Sequence, residues 1–274
     1  MNKRTGIGFY VFLTIFIFLV MFPFIWVFLT SFKSPSEIFA SSYRWFTANP
    51  TFESYVSALT TRPLLTYMWN SLVVSTLTTI IAIGVASFAA YSLTRLPIRF
   101  KGLILGTVLA AAMFPQIAII SPIYNMITSL GLRNSHMGLV IPYITVSLPL
   151  AIWILATFFK KIPIDLEESA KLDGATPFQT FRKIIFPLAA PGVFTTAILV
   201  FIAAWNEYLF ALTINTTDSW RTIPVGISMY QSQFTVPWGD ITAATVLVTI
   251  PIVLVVLMFQ RRIVSGLTSG AVKE

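Results

Sequence analysis

Six stretches of this chain carry no Asp, Glu, Lys or Arg: residues 5–32, 63–94, 102–132, 134–159, 184–206 and 241–260. A helix needs about 20 apolar residues to cross about 30 Å of hydrocarbon, and each stretch is long enough. Lipid offers no partner to a backbone N–H or C=O, so runs of this length fold as helices that satisfy their own hydrogen bonds. The expected fold class is an all-α integral membrane protein with six transmembrane helices, roughly 8–32, 67–93, 103–127, 137–159, 188–211 and 241–260. They are expected to form one transmembrane domain over 1–274, with a loop at 160–187. Only 10% of the 274 residues are charged, against about a quarter in soluble domains, and no long polar stretch is left to build one.

The basic residues sort by side. With the N-terminus inside, Lys3, Arg4, Arg95, Arg99, Lys101, Lys160, Lys161, Lys171, Arg182, Lys183, Arg261, Arg262 and Lys273 fall on the cytoplasmic side. Lys33, Arg44, Arg62, Arg133 and Arg221 fall outside, so 13 of the 18 basic residues lie within. The positive-inside rule then expects a multi-pass protein with both termini in the cytoplasm. It also accounts for the net charge of +8 without nucleic acid. The first apolar run far exceeds the h-region of a cleavable signal peptide and reads as an uncleaved span. With no cysteine, disulfides, thiolate metal sites and thiol catalysis are excluded.

The charged loop has the most legible local code. Asp165 followed by Glu168 predicts an N-cap and capping box, with a helix starting at Leu166 and stopping at Gly174 in a left-handed C-cap. Thr176, Pro177 and Gln179 predict a second capped start with proline at the first helical position. That second helix carries Phe178, Phe181 and Ile185 at helical spacing and is expected to end before Pro187. Two short helices should therefore meet at a glycine-hinged bend.

Glu168-Ser169-Ala170, then Asp173-Gly174-Ala175, then Phe181, Ile184 and Pro187 resemble the EAA loop of permease subunits of ATP-binding-cassette importers. Ser169 stands where the family pattern has Ala. The resemblance implies the type I ABC importer permease fold, with 160–187 as a coupling-helix loop that sits in a cleft of an ATPase subunit. It assigns ATPase coupling to Glu168, Ala170, Asp173, Gly174, Ala175, Phe178, Phe181, Ile184 and Pro187. Leu166, Ala170, Phe178, Phe181 and Ile185 offer apolar contact to that partner, and Glu168, Asp173, Lys171 and Arg182 offer charge. The implied partners are a second homologous permease, two ATPase subunits and an extracytoplasmic solute-binding protein, and the implied location is the inner membrane of a prokaryote.

Within the spans, polar residues are few. Span three holds Gln116 beside Pro115, then Pro122 and Asn125; span four holds Pro142 and Pro149. Prolines free carbonyls, and kinked helices beside a cavity use them. Span five ends in Trp205-Asn206-Glu207-Tyr208, and an acid inside a span marks a functional site unless it snorkels or pairs. That run is similar to the Trp-Asn-Glu signature of carbohydrate permeases, as 113–132 is to their third span. Gln116, Asn125, Trp205, Asn206 and Glu207 are thus candidates for a substrate path or outer gate. In the maltose-type branch most sugar contacts lie on the other permease, so these residues are expected to shape a cavity rather than bind.

The outer loop 213–240 is aromatic and polar; by the same resemblance Tyr230, Gln231, Gln233 and Trp238 contact the binding protein. The tail from Gly266 to Lys273 resembles that of maltose- and trehalose-type permeases, where it touches the ATPases.

No phosphate loop, paired carboxylates or nucleophile triad is present. An enzyme is not expected: the chain is expected to bind no cofactor, with ATP and Mg held by partner subunits. His136 has no histidine or acidic neighbours in sequence, so no metal site is expected. The leading reading is a sugar importer subunit for a di- or oligosaccharide of the maltose or trehalose type. The alternative keeps the architecture and imports an amino acid, polyamine or phosphate. An ion channel with Glu207 as filter acid would pass current without ATP, and an intramembrane enzyme would need a second catalytic group facing Glu207.

Overall fold

A computed structural model describes residues 7–40, 44–47, 49–232 and 235–268, with side chains described to Gln260. Among these every regular element is helical: α1 (Ile7–Thr30), α2 (Pro35–Ile38), α3 (Glu53–Thr61), α4 (Leu64–Arg95), α5 (Lys101–Ala112), α6 (Gln116–Ser129) and α7 (His136–Lys160). The chain continues through α8 (Asp165–Leu172), α9 (Pro177–Thr180), a π-helical turn (Phe181–Ile185), α10 (Phe186–Leu188) and α11 (Ala190–Trp205). It ends with α12 (Leu209–Ile214), α13 (Ile223–Ser228) and α14 (Trp238–Thr268).

α1, α4, α7 and α14 (through Gln260) are each long and apolar enough to span a membrane unaided. The third expected span is a bent pair instead of a straight helix, and the entry to the fifth is sharply bent. α5 and α6 meet at 90° across Met113–Pro115, and the segment ending at Leu188 meets α11 at 77°. At the first break Pro115 takes φ −63°, ψ 124°, an extended conformation that cannot continue α5, and becomes the N-cap of α6. With the four straight helices, α5–α6 and α11 bring the count to as many as six spans. Several serines and threonines inside the spans return their hydroxyls to the preceding turn, as Ser87 does to the Ile83 carbonyl (2.6 Å) and Thr196 to the Gly192 carbonyl (2.8 Å). This satisfies a donor that lipid would leave bare.

The chain divides into two compact units. One comprises 1–65 and 226–250. In it Phe32, Phe52 and Tyr55 form an aromatic cluster with ring centroids 5.3–5.8 Å apart. Ser57 donates to the Asp240 carboxylate (2.6 Å), and Arg62 donates to the Met229 carbonyl (3.1 Å). α1 has no buried residue in the described chain.

The other unit comprises 66–225 and 251–274. Its core gathers Ala82, Ala86 and Ala90 of α4 with Ala151, Leu155 and Phe159 of α7, and with Phe181, Ile185 and Val193. Alanines one turn apart on α4 let the helix axes approach closely, the usual basis of packing in lipid. Gly192 of α11 serves the same end: a Cβ there would lie 2.3 Å from Cγ of Phe158.

Candidate functional site

The charged loop folds as a hinged hairpin. Gly174 has φ +80°, its N–H donates to the Lys171 carbonyl (3.0 Å), and the Ala175 N–H donates to the Ala170 carbonyl (2.9 Å). These are the two bonds of a Schellman motif, which satisfies the orphan carbonyls at the end of α8. Gln179 N–H donates to Thr176 Oγ1 (3.3 Å) while Thr176 N–H donates to Gln179 Oε1 (2.8 Å), so the second capping box forms as expected. The first does not. Ile164, already at φ −66°, ψ −32°, is the N-cap of α8 and makes no side-chain cap, so Asp165 is the first helical residue and its carboxylate lies past the point where it could cap.

The hairpin also does not stop before Pro187. Phe186 N–H donates to the carbonyl of Phe181, five residues back, and helix resumes over Phe186–Leu188. Proline in an α-helix clashes with the carbonyl four residues earlier and leaves it unbonded. One wide turn ahead of Pro187 displaces that carbonyl and carries the chain through.

Burial divides the coupling candidates. Ala170, Phe181 and Ile185 are buried within the chain, which corrects the expectation that they offer apolar surface to a partner. Phe181 packs on Phe88 (5.0 Å between centroids) and Tyr91 (5.1 Å) of α4 and on Phe186 (5.7 Å). Ile184 and Ala175 are half-buried. The exposed face comprises Leu166, Glu168, Leu172, Asp173, Gly174, Phe178 and Pro187. Leu166 also borders an open groove of about 470 Å³ lined by Phe158, Pro163, Leu188 and Pro191.

Sequence reasoning missed the residue that holds α8 down. Glu167, next to the motif acid, is buried, and its Oε1 lies 2.6 Å from Nε of Arg95. Glu168, the motif acid, is exposed. The partner of Glu167 lies 72 positions earlier, and no local pattern announces such a pair.

Of the path candidates, Gln116 and Glu207 are brought together. They line a cavity of about 50 Å³ with Tyr143, Ser147, Ala204 and Phe210. That is space for a water or two at about 30 Å³ each and excludes a sugar ring. Gln116 also borders a wider cleft of about 350 Å³ with Phe114, Thr145 and Pro149, so one span-four proline does lie beside a cavity. Glu207 turns back on its own chain: its two carboxylate oxygens accept the N–H groups of Phe210 and Ala211 (2.9 and 3.2 Å). Trp205 is buried against Phe201 (5.7 Å), Asn206 is exposed and donates to the Ile202 carbonyl (2.8 Å), and Asn125 is exposed outside the small cavity.

Tyr230 is buried, with its hydroxyl donated to the carbonyl of Ala58, so it is not free to contact a partner. Gln231 and Trp238 are exposed, and Gln233 lies outside the described residues, as do Lys3, Arg4 and the tail from 269 to 274. His136 is not isolated: its ring lies 2.9 Å from the Asn70 side-chain oxygen and packs edge-on to Trp220. No metal-binding cluster occurs among the described residues.

A model of the family described as "Binding-protein-dependent transport system inner membrane component" matches residues 82–269, which contain the hairpin, α11 with the break that follows it, and all of α14. The chain belongs to this family of transport-system membrane components. The permease is 45% identical to the trehalose transport system permease protein SugB of Mycobacterium tuberculosis over 92% of both chains. It is 41% identical to the trehalose/maltose transport system permease protein MalG of Thermococcus litoralis, over 92% of this chain and 91% of that one. A third relative, the sulfoquinovosyl glycerol permease SmoH of Agrobacterium fabrum, is 40% identical over 92% of this chain and 89% of its own. The permease superposes on a chain of a bacterial ABC transporter involved in the import of alginate with a TM-score of 0.81, covering 95% and 98% of the two chains. At 22% identity that likeness concerns the fold, which is that of an ABC importer permease.

Proposed function

We propose that this permease imports a sugar, a di- or oligosaccharide of the trehalose or maltose type, by alternating access driven by separate ATPase subunits. The observation that carries the coupling half is the hairpin: a Schellman stop and a capping box fix its bend, while its inner face is anchored on α4 and its outer face is left bare. A rigid, half-exposed hairpin is what a partner needs to move spans as a body. The cargo half is supported by relatives at 40–45% identity named for trehalose, trehalose/maltose and sulfoquinovosyl glycerol.

In this reading Glu168, Leu172, Asp173 and Phe178 meet the ATPase, whereas Ala170, Phe181, Ile184 and Ile185 hold the hairpin to its own spans. The chain binds no cofactor; ATP and Mg belong to two ATPase subunits, and a second permease and an external binding protein complete the assembly. Both termini and the hairpin lie in the cytoplasm, where 13 of the 18 basic residues fall. Glu207 and Gln116 shape a gate beside the path and do not themselves grip the sugar, for which the cavity between them is too small.

The test is sugar binding by the solute-binding protein that works with this permease, followed by uptake in cells lacking the permease. Trehalose or maltose binding with permease-dependent uptake is expected. Binding only of an amino acid, polyamine or phosphate would replace the cargo assignment and leave the architecture standing.

A further inference from the structure

Arg95, the last residue of α4, touches two elements far along the chain. Its Nε pairs with Glu167 Oε1 of α8 at 2.6 Å, with both side chains 8% exposed. Its Nη2 donates to the carbonyls of Phe159 (2.9 Å) and Ile162 (2.5 Å), at and just beyond the end of α7. Tyr91, one turn earlier on α4, donates its hydroxyl to the other Glu167 oxygen at 3.2 Å. Through Nη2 the guanidinium donates to two carbonyls while its Nε edge stays in ion contact with Glu167, a spread of contacts over one rigid plane that the single ammonium of a lysine does not reproduce. Buried ion pairs add little net stability, because desolvation offsets their attraction. What this one does supply is a fixed register between three helix ends.

We propose that Arg95 is a positioning residue for coupling: it joins the ends of α4 and α7 to α8, so that force on the exposed hairpin moves both spans. The proposal rests on the reading of the hairpin as the ATPase docking piece. α8 has only eight residues, and its buried side chains are Glu167 and Ala170. Ala170 gives a smooth apolar contact on which the helix could slide, so Glu167 and its partners set the register. The aromatic packing of Phe181 secures only the second half of the hairpin. Without the ion pair, a push on α8 would be absorbed by tilting of α8 before it reached α4.

The chain has no cysteine, so two can be introduced as reporters: Ser169→Cys, an exposed position of α8 not among the residues assigned to the ATPase, and Leu96→Cys just past α4 (41% exposed). Spin labels at these sites are measured by electron–electron distance spectroscopy in the complete transporter, nucleotide-free and trapped with ATP and vanadate. The joint predicts one narrow distance in both states. Glu167→Gln should broaden the distribution about twofold on trapping, as local order is lost. Arg95→Lys, which keeps the charge and loses the fork, should broaden it as well, while Tyr91→Phe, which leaves the ion pair, should resemble the parent. If Glu167→Gln prevents assembly, Arg95→Lys reads the same joint. A parent distance that shifts on trapping, or Glu167→Gln and Arg95→Lys distributions as narrow as the parent's, would overturn the proposal. Failure of the parent chain to hold any ATPase would instead refute the docking reading on which it rests.

Discussion

Glu207 binds the backbone of Phe210: its Oε1 accepts the Phe210 N–H at 2.9 Å, and its Oε2 accepts that of Ala211 at 3.2 Å. α11 ends at Trp205 and α12 starts at Leu209, so the carboxylate sits where a break inside an apolar segment bares N–H groups that lipid cannot satisfy. The one acid in the span therefore has a structural duty that needs no transported ion. Removing a capping side chain costs about 0.5–2 kcal/mol. Glu207→Ala should lower the thermal midpoint of the purified complex, and Glu207→Gln, which keeps one acceptor oxygen, should lower it less. Equal losses for the two would show that the charge, and not the cap, is what matters.

The cost of a side chain at Gly174 is conformational. A Cβ there would meet no atom of the chain within 4 Å, but φ is +80°, a region that L-residues enter at about 1–2 kcal/mol. Asparagine tolerates this region better than other residues, and a β-branched residue fares worst. Gly174→Asn should keep most uptake, whereas Gly174→Val should insert normally yet lose ATPase association or uncouple hydrolysis from uptake. Uptake by Gly174→Val at the parent rate would count against a docking role for the bend.

Gly192 presents the opposite case. Its missing Cβ is the space that the Phe158 ring occupies. Gly192→Ala should destabilise the permease by about 1–3 kcal/mol through overpacking. Phe158→Ala in the same chain should recover part of that loss, measured as thermal midpoint. No recovery would mean that α7 and α11 do not meet through this pair.

Orientation can be read with single thiols in this cysteine-free chain. Ser169→Cys on the hairpin and Gln231→Cys in the loop before α14 are both at exposed positions. In intact spheroplasts a membrane-impermeant maleimide should label Gln231→Cys at once and Ser169→Cys only after permeabilisation. The reverse pattern would invert the topology assigned from charge.

Features written in neighbouring residues were legible from the sequence. Gly174 as the hinge and Thr176 with Gln179 as the cap depend on contacts a few residues apart, and both form. Asp165 follows the same rule and fails because Ile164 already turns helical, which puts Asp165 inside α8 and beyond the cap position. The span lengths came from counting charges, and such a count is blind to the 90° break at Pro115, where composition stays apolar. Long-range pairs were invisible: Arg95 with Glu167, and the Tyr230 hydroxyl with the Ala58 carbonyl. Each joins side chains to groups over 70 residues away, and only the packed structure brings them together.

The central claim is that a separate nucleotide hydrolysis works this chain through its hairpin. Proteoliposomes containing the permease, its partner permease and the two ATPases test it directly, with labelled trehalose or maltose and the loaded binding protein on one side and Mg-ATP on the other. Sugar should accumulate only when ATP faces the hairpin side and every subunit is present. Accumulation by this chain alone, or equal accumulation without ATP, would contradict the account.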